Sequence, residues 1–321
     1  SNLRRSIIIL ESTVFPGVTR RIAQKSAETN SKKIGVDFDI AYSPERISPG
    51  EVGKGAKEVS RIVGADKVEV GEMLAEIYGG ITKGGCSYVG KIENAEAAKM
   101  IENTQRDIDI AFVNELALVL PRMGLDVDEV LEAASTKWNF HRHQPGIGVG
   151  GHCIPVDPYY YIQFSRNAGL ESRLSPVARE VNESMPMESA KMISRVLKEG
   201  ERVLIMGLSY KPNVGDIRET PVIPLIEELV RRGLEVSVWD PYISEDWFLP
   251  KLVTVVSDPI DACTDVNGII LATAHKEILD LDWRVLLEKA DGDLLFDGPR
   301  ALDSDKMSEI GWDYWGVGFP K

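Results

Sequence analysis

From Arg202 onward the chain alternates short apolar runs with helical stretches, and this alternation constrains its fold more than any other feature. The runs are RVLIMGL, EVSVWD, VTVVS, GIILAT and DLLFD, with a helix expected from about Pro221 to Arg232. RVLIMGL and GIILAT are largely apolar, as strands buried on both faces are, whereas EVSVWD alternates apolar and polar residues. Helices between the runs supply the crossovers that parallel strands require. Residues 198–321 are therefore expected to form an open parallel sheet. Its first strand opens into GLSYKPNVGDIRETP, which puts Lys211 and Arg218 at the carboxyl end of a strand and ahead of a helix. That position suits an anion; solvated surface cations are the alternative.

The N-terminal part reads similarly. After SNLRR, the run SIIILEST reads as a buried parallel strand, followed by a helix near Val18 to Glu28. FDIAYSPER is a second strand running into a loop from Ser43 to Gly50, RIVGA a third, DKVEVGEMLAEIYGG a helix, and CSYVG leads onward. Thr13 and Glu45 fall just beyond strand ends, where open α/β sheets bind ligands. A helix cap and a solvated loop residue explain them equally well. A long helix is expected from Asn94, as N-cap, to about Arg122. Ile101, Ile108, Phe112, Leu116 and Val119 form its apolar face. Lys99, Asn103 and Asp107 recur every four residues along one face, by default a solvated stripe. A shorter helix follows over LDVDEVLEAAS, and Pro158 to Asn167 and Pro176 to Lys198 read as helices.

Between them lies QPGIGVGGHCIPVDP, residues 144–158, with four glycines and three prolines in fifteen residues. Such a stretch is an ordered loop. It presents Cys153 beside Gly150 and Gly151, with Asp157 four residues on. A thiol on a glycine-rich loop with a nearby carboxylate is a candidate nucleophile and base; a buried, inert cysteine is the alternative. Gly146, Gly148 and Gly151 fit G-x-G-x-x-G, but no apolar strand precedes them and Pro155 and Pro158 interrupt the helix that should follow, so the dinucleotide reading fails. His141, His143, His152 and Cys153 lack a second paired half for zinc, and no metal site is expected. Adjacent side chains diverge, so His152 does not serve as a base for Cys153.

The chain has 321 residues, enough for two or three domains. A net charge of −13 argues against nucleic-acid or anionic-membrane partners. Three dispersed cysteines suggest no disulfide framework and suit a reducing cytoplasm. No apolar run is long enough to span a bilayer.

Five segments, ESTVFPG, SPERISPGE, AEAAKMIENTQRD, PGIGVGGHCIPVDP and GLSYKPNVGDIRETP, occur in an order that resembles the UDP-glucose/GDP-mannose 6-dehydrogenase family, up to about DGPRALD. The form GVGGHCIPVDP is most similar to the branch that oxidises UDP-N-acetylhexosamines. The resemblance implies an α/β protein in three parts: a Rossmann-type NAD-binding domain (1–91), a central helical dimerisation region with the cysteine loop (92–197), and a second, UDP-binding Rossmann-like domain (198–321). It implies oxidation of the C6 hydroxyl of a UDP-sugar to a carboxylate with two NAD per turnover, through a thiohemiacetal and a thioester on Cys153. Lys99 and Asn103 match residues that stabilise the oxyanion, Asp157 and Thr13 a pair that positions water, and Glu45 a proton-transfer carboxylate. Lys211, Arg46 and Gly150 match substrate-binding positions, while Thr13, Glu45 and Arg218 match positions facing the cofactor. The family's dimer is built around the long helix.

The family opens with a glycine-rich NAD motif, and none precedes Ser1. The resemblance therefore implies that about half of the cofactor domain is missing. That leaves two further readings open: a non-enzymatic sugar-nucleotide-binding remnant, or a two-electron hydroxyacid-type dehydrogenase. The intact Cys153, Lys99, Asn103 and Asp157 argue against the remnant; the hydroxyacid type also carries a helix lysine and asparagine, and it is Cys153 in its GGHC loop that argues against it.

Overall fold

The computed structural model describes residues 6–47, 55–243 and 253–321. SNLRR, the end of the Ser43–Gly50 loop and Glu51 of SPERISPGE lie outside the described residues. The chain divides into two compact units, one of Ser1–Arg106 with Val156–Ser175, the other of Asp107–Pro155 with Pro176–Lys321.

In the first unit, β1 (Ser6–Leu10), β2 (Phe38–Tyr42), β3 (Arg61–Ala65) and β4 (Cys86–Tyr88) pair in chain order. β1–β2 and β3–β4 are parallel, whereas β2–β3 is antiparallel. β2 is buried along its whole length. β1 reads in the sequence as an apolar strand with no neighbouring strand before it, and it is the sheet's edge, with Ile8 half exposed. An apolar run of this length fits an edge or a centre equally, since hydrophobic content alone does not report strand order. Helices Val18–Thr29 and Val68–Gly79 pack on the sheet through Ala23, Ala27 and Leu74.

The second unit carries a six-stranded, wholly parallel sheet of order β10-β9-β8-β5-β6-β7. Its strands are β5 (Arg202–Met206), β6 (Glu235–Trp239), β7 (Thr254–Val255), β8 (Gly268–Leu271), β9 (Leu294–Asp297) and β10 (Asp313–Gly316). β8 and β9 are fully buried, as the apolar runs GIIL and LLF require. The helix expected after Pro221 is Val222–Arg231, and its Leu225, Ile226 and Leu229 are buried in the core.

The long helix spans Ile92–Val119 and continues as a 3-10 turn over Leu120–Met123. Asn94 is therefore not the N-cap. It lies inside the first turn, and its amide donates to the carbonyl of Val89. Gly90, at φ 82°, makes the bend that admits the helix two residues earlier. The faces of this helix differ in part from expectation: Leu116 packs on the core and Ile108 is half-buried, but the other three residues of the expected apolar face are not. Ile101, Phe112 and Val119 are exposed at 51%, 54% and 46%, while Lys99, Asp107 and Asn114 are buried. The helices read as Pro158–Asn167 and Pro176–Lys198 are Asp157–Asn167 and Leu174–Ile193. Among the described residues no helix is long and apolar enough to cross a membrane.

Candidate functional site

Cys153 is exposed, at the end of a loop fixed from behind at several points. At the start, the Gly146 N–H donates to Asn114 Oδ1 at 3.0 Å. Asn114 Nδ2 in turn donates to Asn182 Oδ1 at 2.8 Å, and Asn182 Nδ2 reaches Asp107 Oδ1 at 2.8 Å and its backbone oxygen at 3.0 Å. Arg179 completes the cluster, donating to Asp107 Oδ1 at 2.7 Å. Burial pushes the Asp107 carboxyl up against the pull of Arg179. Asp107 is thus no solvated residue: the stripe expected to face water is anchored in a charged interior cluster.

Further along, Gly148 at φ 139° lies against Pro221, Pro186 and the carbonyl of Asn182. Pro186 sits inside its helix and has no N–H to offer that carbonyl. A side chain at Gly150 would begin 2.6 Å from Tyr210 Cβ, and one at Gly151 would meet the Tyr210 ring at 2.7 Å. The Gly151 N–H donates to the Arg218 carbonyl at 3.0 Å. The glycines therefore let the Cys153 loop lie directly on the loop after β5, which carries Lys211. Lys211 is half-buried there. Arg218 is exposed and grips Asp216, its Nη2 donating to Oδ2 at 2.6 Å. This guanidinium holds Asp216 below the usual carboxylate range. The basic stretch after residue 140 is also tied down: Arg142 pairs with Glu132 and Asp128, and His143 lies 3.6 Å from Asp109.

The first unit gathers the other candidates. Asn103 Nδ2 donates to Asp157 Oδ2 at 2.5 Å, joining the long helix to the start of helix Asp157–Asn167. Lys99, one turn earlier, is buried at 8% exposure, and Asp157 at 2%. Arg46 pairs with Glu102, beside Asn103, and its Nε is buried without a hydrogen-bond partner. Glu45 Oε1 accepts the N–H groups of Arg46 and Ile47 at 2.7 and 2.9 Å, and its Oε2 lies 3.6 Å from Arg61. Thr13 is half-buried beyond β1. At the carboxyl end of β2 the hydroxyl of Ser43 is buried without a partner, and that of Tyr42 is buried against the backbone of Val14. Burial and the charges of Glu96, Asp157 and Glu102 raise the Tyr42 phenol.

Three structural residues were not visible in the sequence. Glu96, wholly buried, accepts from the N–H groups of Gly17 and Thr19 at 2.6 and 2.9 Å, capping a helix almost eighty positions away in the chain. Arg179 and Asn182 lie on a helix with no motif of its own, and only contact in three dimensions reveals them.

Three profiles of the UDP-glucose/GDP-mannose dehydrogenase family match in order: the NAD binding domain at residues 2–82, the central domain at 93–184 and the UDP binding domain at 204–304. The match of the NAD binding domain from residue 2 does not support the expectation that half of that domain is missing. A UDP-N-acetyl-D-glucosamine 6-dehydrogenase of Pseudomonas aeruginosa is 39% identical over 94% of this chain and 72% of its own length. A UDP-N-acetyl-D-mannosamine dehydrogenase of Pyrococcus horikoshii is 31% identical over 98% of this chain and 73% of its own. A solved UDP-glucose dehydrogenase from Pyrobaculum islandicum superposes with a TM-score of 0.85 at 30% identity, covering 98% of this chain and 71% of that one. The chain belongs to the UDP-glucose/GDP-mannose dehydrogenase family and is an NAD-dependent oxidoreductase acting on a UDP-sugar.

Proposed function

We propose that the chain oxidises the C6 hydroxyl of a UDP-N-acetylhexosamine to the carboxylate, with Cys153 as the covalent catalyst. The observation that carries this reading is the exposed thiol on a loop locked against the Lys211 loop through Gly150 and Gly151. A simple binding module has no use for a nucleophile held so firmly. The N-acetylhexosamine assignment is supported by the relatives from Pseudomonas aeruginosa and Pyrococcus horikoshii.

The buried, unpartnered hydroxyl of Ser43 fits a polar group of a dinucleotide, with Thr13, Glu45 and Arg218 as further contacts. Bound NAD supplies the hydride acceptor for both two-electron oxidations. After the first, the Cys153 sulfur adds to the C6 aldehyde and gives a thiohemiacetal. The Lys99 ammonium and the Asn103 amide stabilise the oxyanion that forms. Loss of a second electron pair leaves a thioester. Asp157 and Thr13 orient water towards its carbonyl carbon, Glu45 takes the water's proton, and the C–S bond breaks to release the uronate and the Cys153 thiol. Asn103 holds the Asp157 carboxylate in place for this step. Lys211, Arg46 and Gly150 bind the sugar nucleotide.

Residues 1–91, 92–197 and 198–321 serve as NAD-binding, central and UDP-binding segments. The enzyme is a homodimer through the long helix, whose exposed Ile101, Phe112 and Val119 at helical spacing supply the apolar contact. It works in the cytoplasm, where thiols stay reduced, and its uronate product feeds polysaccharide biosynthesis.

The test is a substrate series. UDP-N-acetylglucosamine or UDP-N-acetylmannosamine should give a kcat/KM at least about tenfold above UDP-glucose, with two NAD reduced per acid formed. One NAD per molecule of released aldehyde would break the covalent mechanism, and a preference for UDP-glucose would break the substrate assignment.

A further inference from the structure

The loop after β5 is held on both sides of Lys211. Before it, Asp240 Oδ2, just past β6, accepts the N–H of Leu208 at 2.7 Å and the N–H and hydroxyl of Ser209 at 2.9 and 3.0 Å. The Thr273 hydroxyl donates to the Ser209 carbonyl. After it, Asn213 takes up the left-handed conformation at φ 60°. Its N–H donates to His275 Nδ1 at 2.9 Å, and its side-chain oxygen accepts the N–H of Lys276 at 2.9 Å. His275 is completely buried. Because Nδ1 is an acceptor, the ring's one N–H is on Nε2, which lies 3.1 Å from the same Asp240 Oδ2. One imidazole therefore joins the two clamps. The Tyr242 ring lies against it at 5.0 Å.

This joint sits at the carboxyl ends of β5, β6 and β8, next to the point where the strand order reverses between β5 and β8. Open parallel sheets receive their ligands there. Lys211 lies between the clamps, and Tyr210, one residue earlier, is the surface on which Gly150 and Gly151 rest.

We propose that His275 is a positioning residue: held as the Nε2–H tautomer between Asp240 and the Asn213 N–H, it fixes the turn that carries Lys211 and so sets the affinity for the sugar nucleotide. This inference rests on the reading that Lys211 binds the substrate. The Cys153 loop rests on Tyr210 of this turn but keeps a second anchor of its own, Gly146 on Asn114. Loss of the imidazole therefore acts on binding more than on the chemical step.

The test compares His275→Gln, His275→Asn and Lys211→Ala in the whole enzyme, with UDP-N-acetylglucosamine as ligand. Gln can donate to Asp240 but offers no acceptor at the Nδ1 position. Asn can place its oxygen near Nδ1 and accept from Asn213. His275→Gln should raise KM and the calorimetric Kd about tenfold, with kcat within about threefold. His275→Asn should recover most of that loss. Equal losses in both variants would mean that the ring only fills space, and would overturn the proposal. Wild-type affinity in His275→Gln beside a loss in Lys211→Ala would also overturn it while leaving the substrate site intact. Unchanged affinity in Lys211→Ala would remove the site reading and this inference together. Should a His275 variant fail to fold, nitrogen-15 NMR of the wild-type imidazole decides. An Nε2–H tautomer whose resonances move on adding UDP-N-acetylglucosamine supports the proposal; an Nδ1–H tautomer or an unmoved signal contradicts it.

Discussion

The six-stranded sheet and the long helix Ile92–Val119 solve burial in opposite ways. The sheet hides hydrocarbon: β8 and β9 are buried along their whole length, and all their residues but the last of β9, Asp297, are apolar or glycine. The helix hides charge, burying Lys99, Asp107 and Asn114 while Ile101 and Phe112 face outward. A buried ion pair contributes little net stability, because desolvation offsets its attraction. Its presence under the Cys153 loop therefore points to placement: Asp107 and Asn182 hold Asn114, and Asn114 holds Gly146. The apolar outer stripe is the face proposed above for a second copy of the chain.

The contrast breaks most readily at Arg179. Arg179→Ala strands the buried Asp107 carboxylate, and the unfolding free energy should fall by about 3–5 kcal/mol. Chemical denaturation measures this, and a loss below about 1 kcal/mol, the usual range of an exposed pair, would show that the cluster is not the interior anchor described.

A buried carboxylate also sits at the end of the apolar sheet, and it sharpens the comparison through pH. Asp297, the last residue of β9, is wholly buried, and burial pushes its carboxyl up to about 6. Its Oδ2 accepts the Leu302 N–H and the Tyr314 hydroxyl, while Oδ1 has no hydrogen-bond partner. Between about pH 4 and the folded value, the folded chain keeps a proton that the unfolded chain has lost. Stability should therefore decline as pH rises through that window, by up to about 3 kcal/mol from this group. Asp297→Asn should flatten that part of the stability–pH curve, and an unchanged slope would remove the assignment.

The smallest effect on the fold is expected on the helix's outer face. Phe112→Ser should shift unfolding of the protomer by no more than about 0.5 kcal/mol, yet should turn the dimer into monomers in sedimentation. A variant that stays dimeric would place the interface elsewhere.

These two regions also show what a sequence reveals. The second sheet was legible from Arg202 onward because short apolar runs alternate with helical stretches, the pattern of parallel strands joined by crossover helices. The Cys153 loop was legible as a loop because its glycines and prolines exclude helix and strand. β10 was not: DYWG is short and half polar. The helices Trp283–Lys289 and Ser304–Ile310 were missed as well, although Asp282 and Asp303 accept the N–H groups that mark their starts. The faces of the long helix were legible only in part, because its periodicity gives a face but not what that face meets. Asp107 joins Arg179 and Asn182, more than seventy positions away, and His275 meets Asn213 and Asp240, so neither is visible in local pattern. Asn103 with Asp157 shows the same limit from the other side: the residues stood out singly, and their hydrogen bond is a tertiary fact.

The most direct test of the account is uronate formation by Cys153→Ala, measured with UDP-N-acetylglucosamine and NAD alongside calorimetric binding of the sugar nucleotide. The account predicts that acid formation falls by about 10³-fold or more while binding stays within a few-fold of wild type, since Lys211 and its loop are untouched. Acid produced by the alanine variant at the wild-type rate would contradict it.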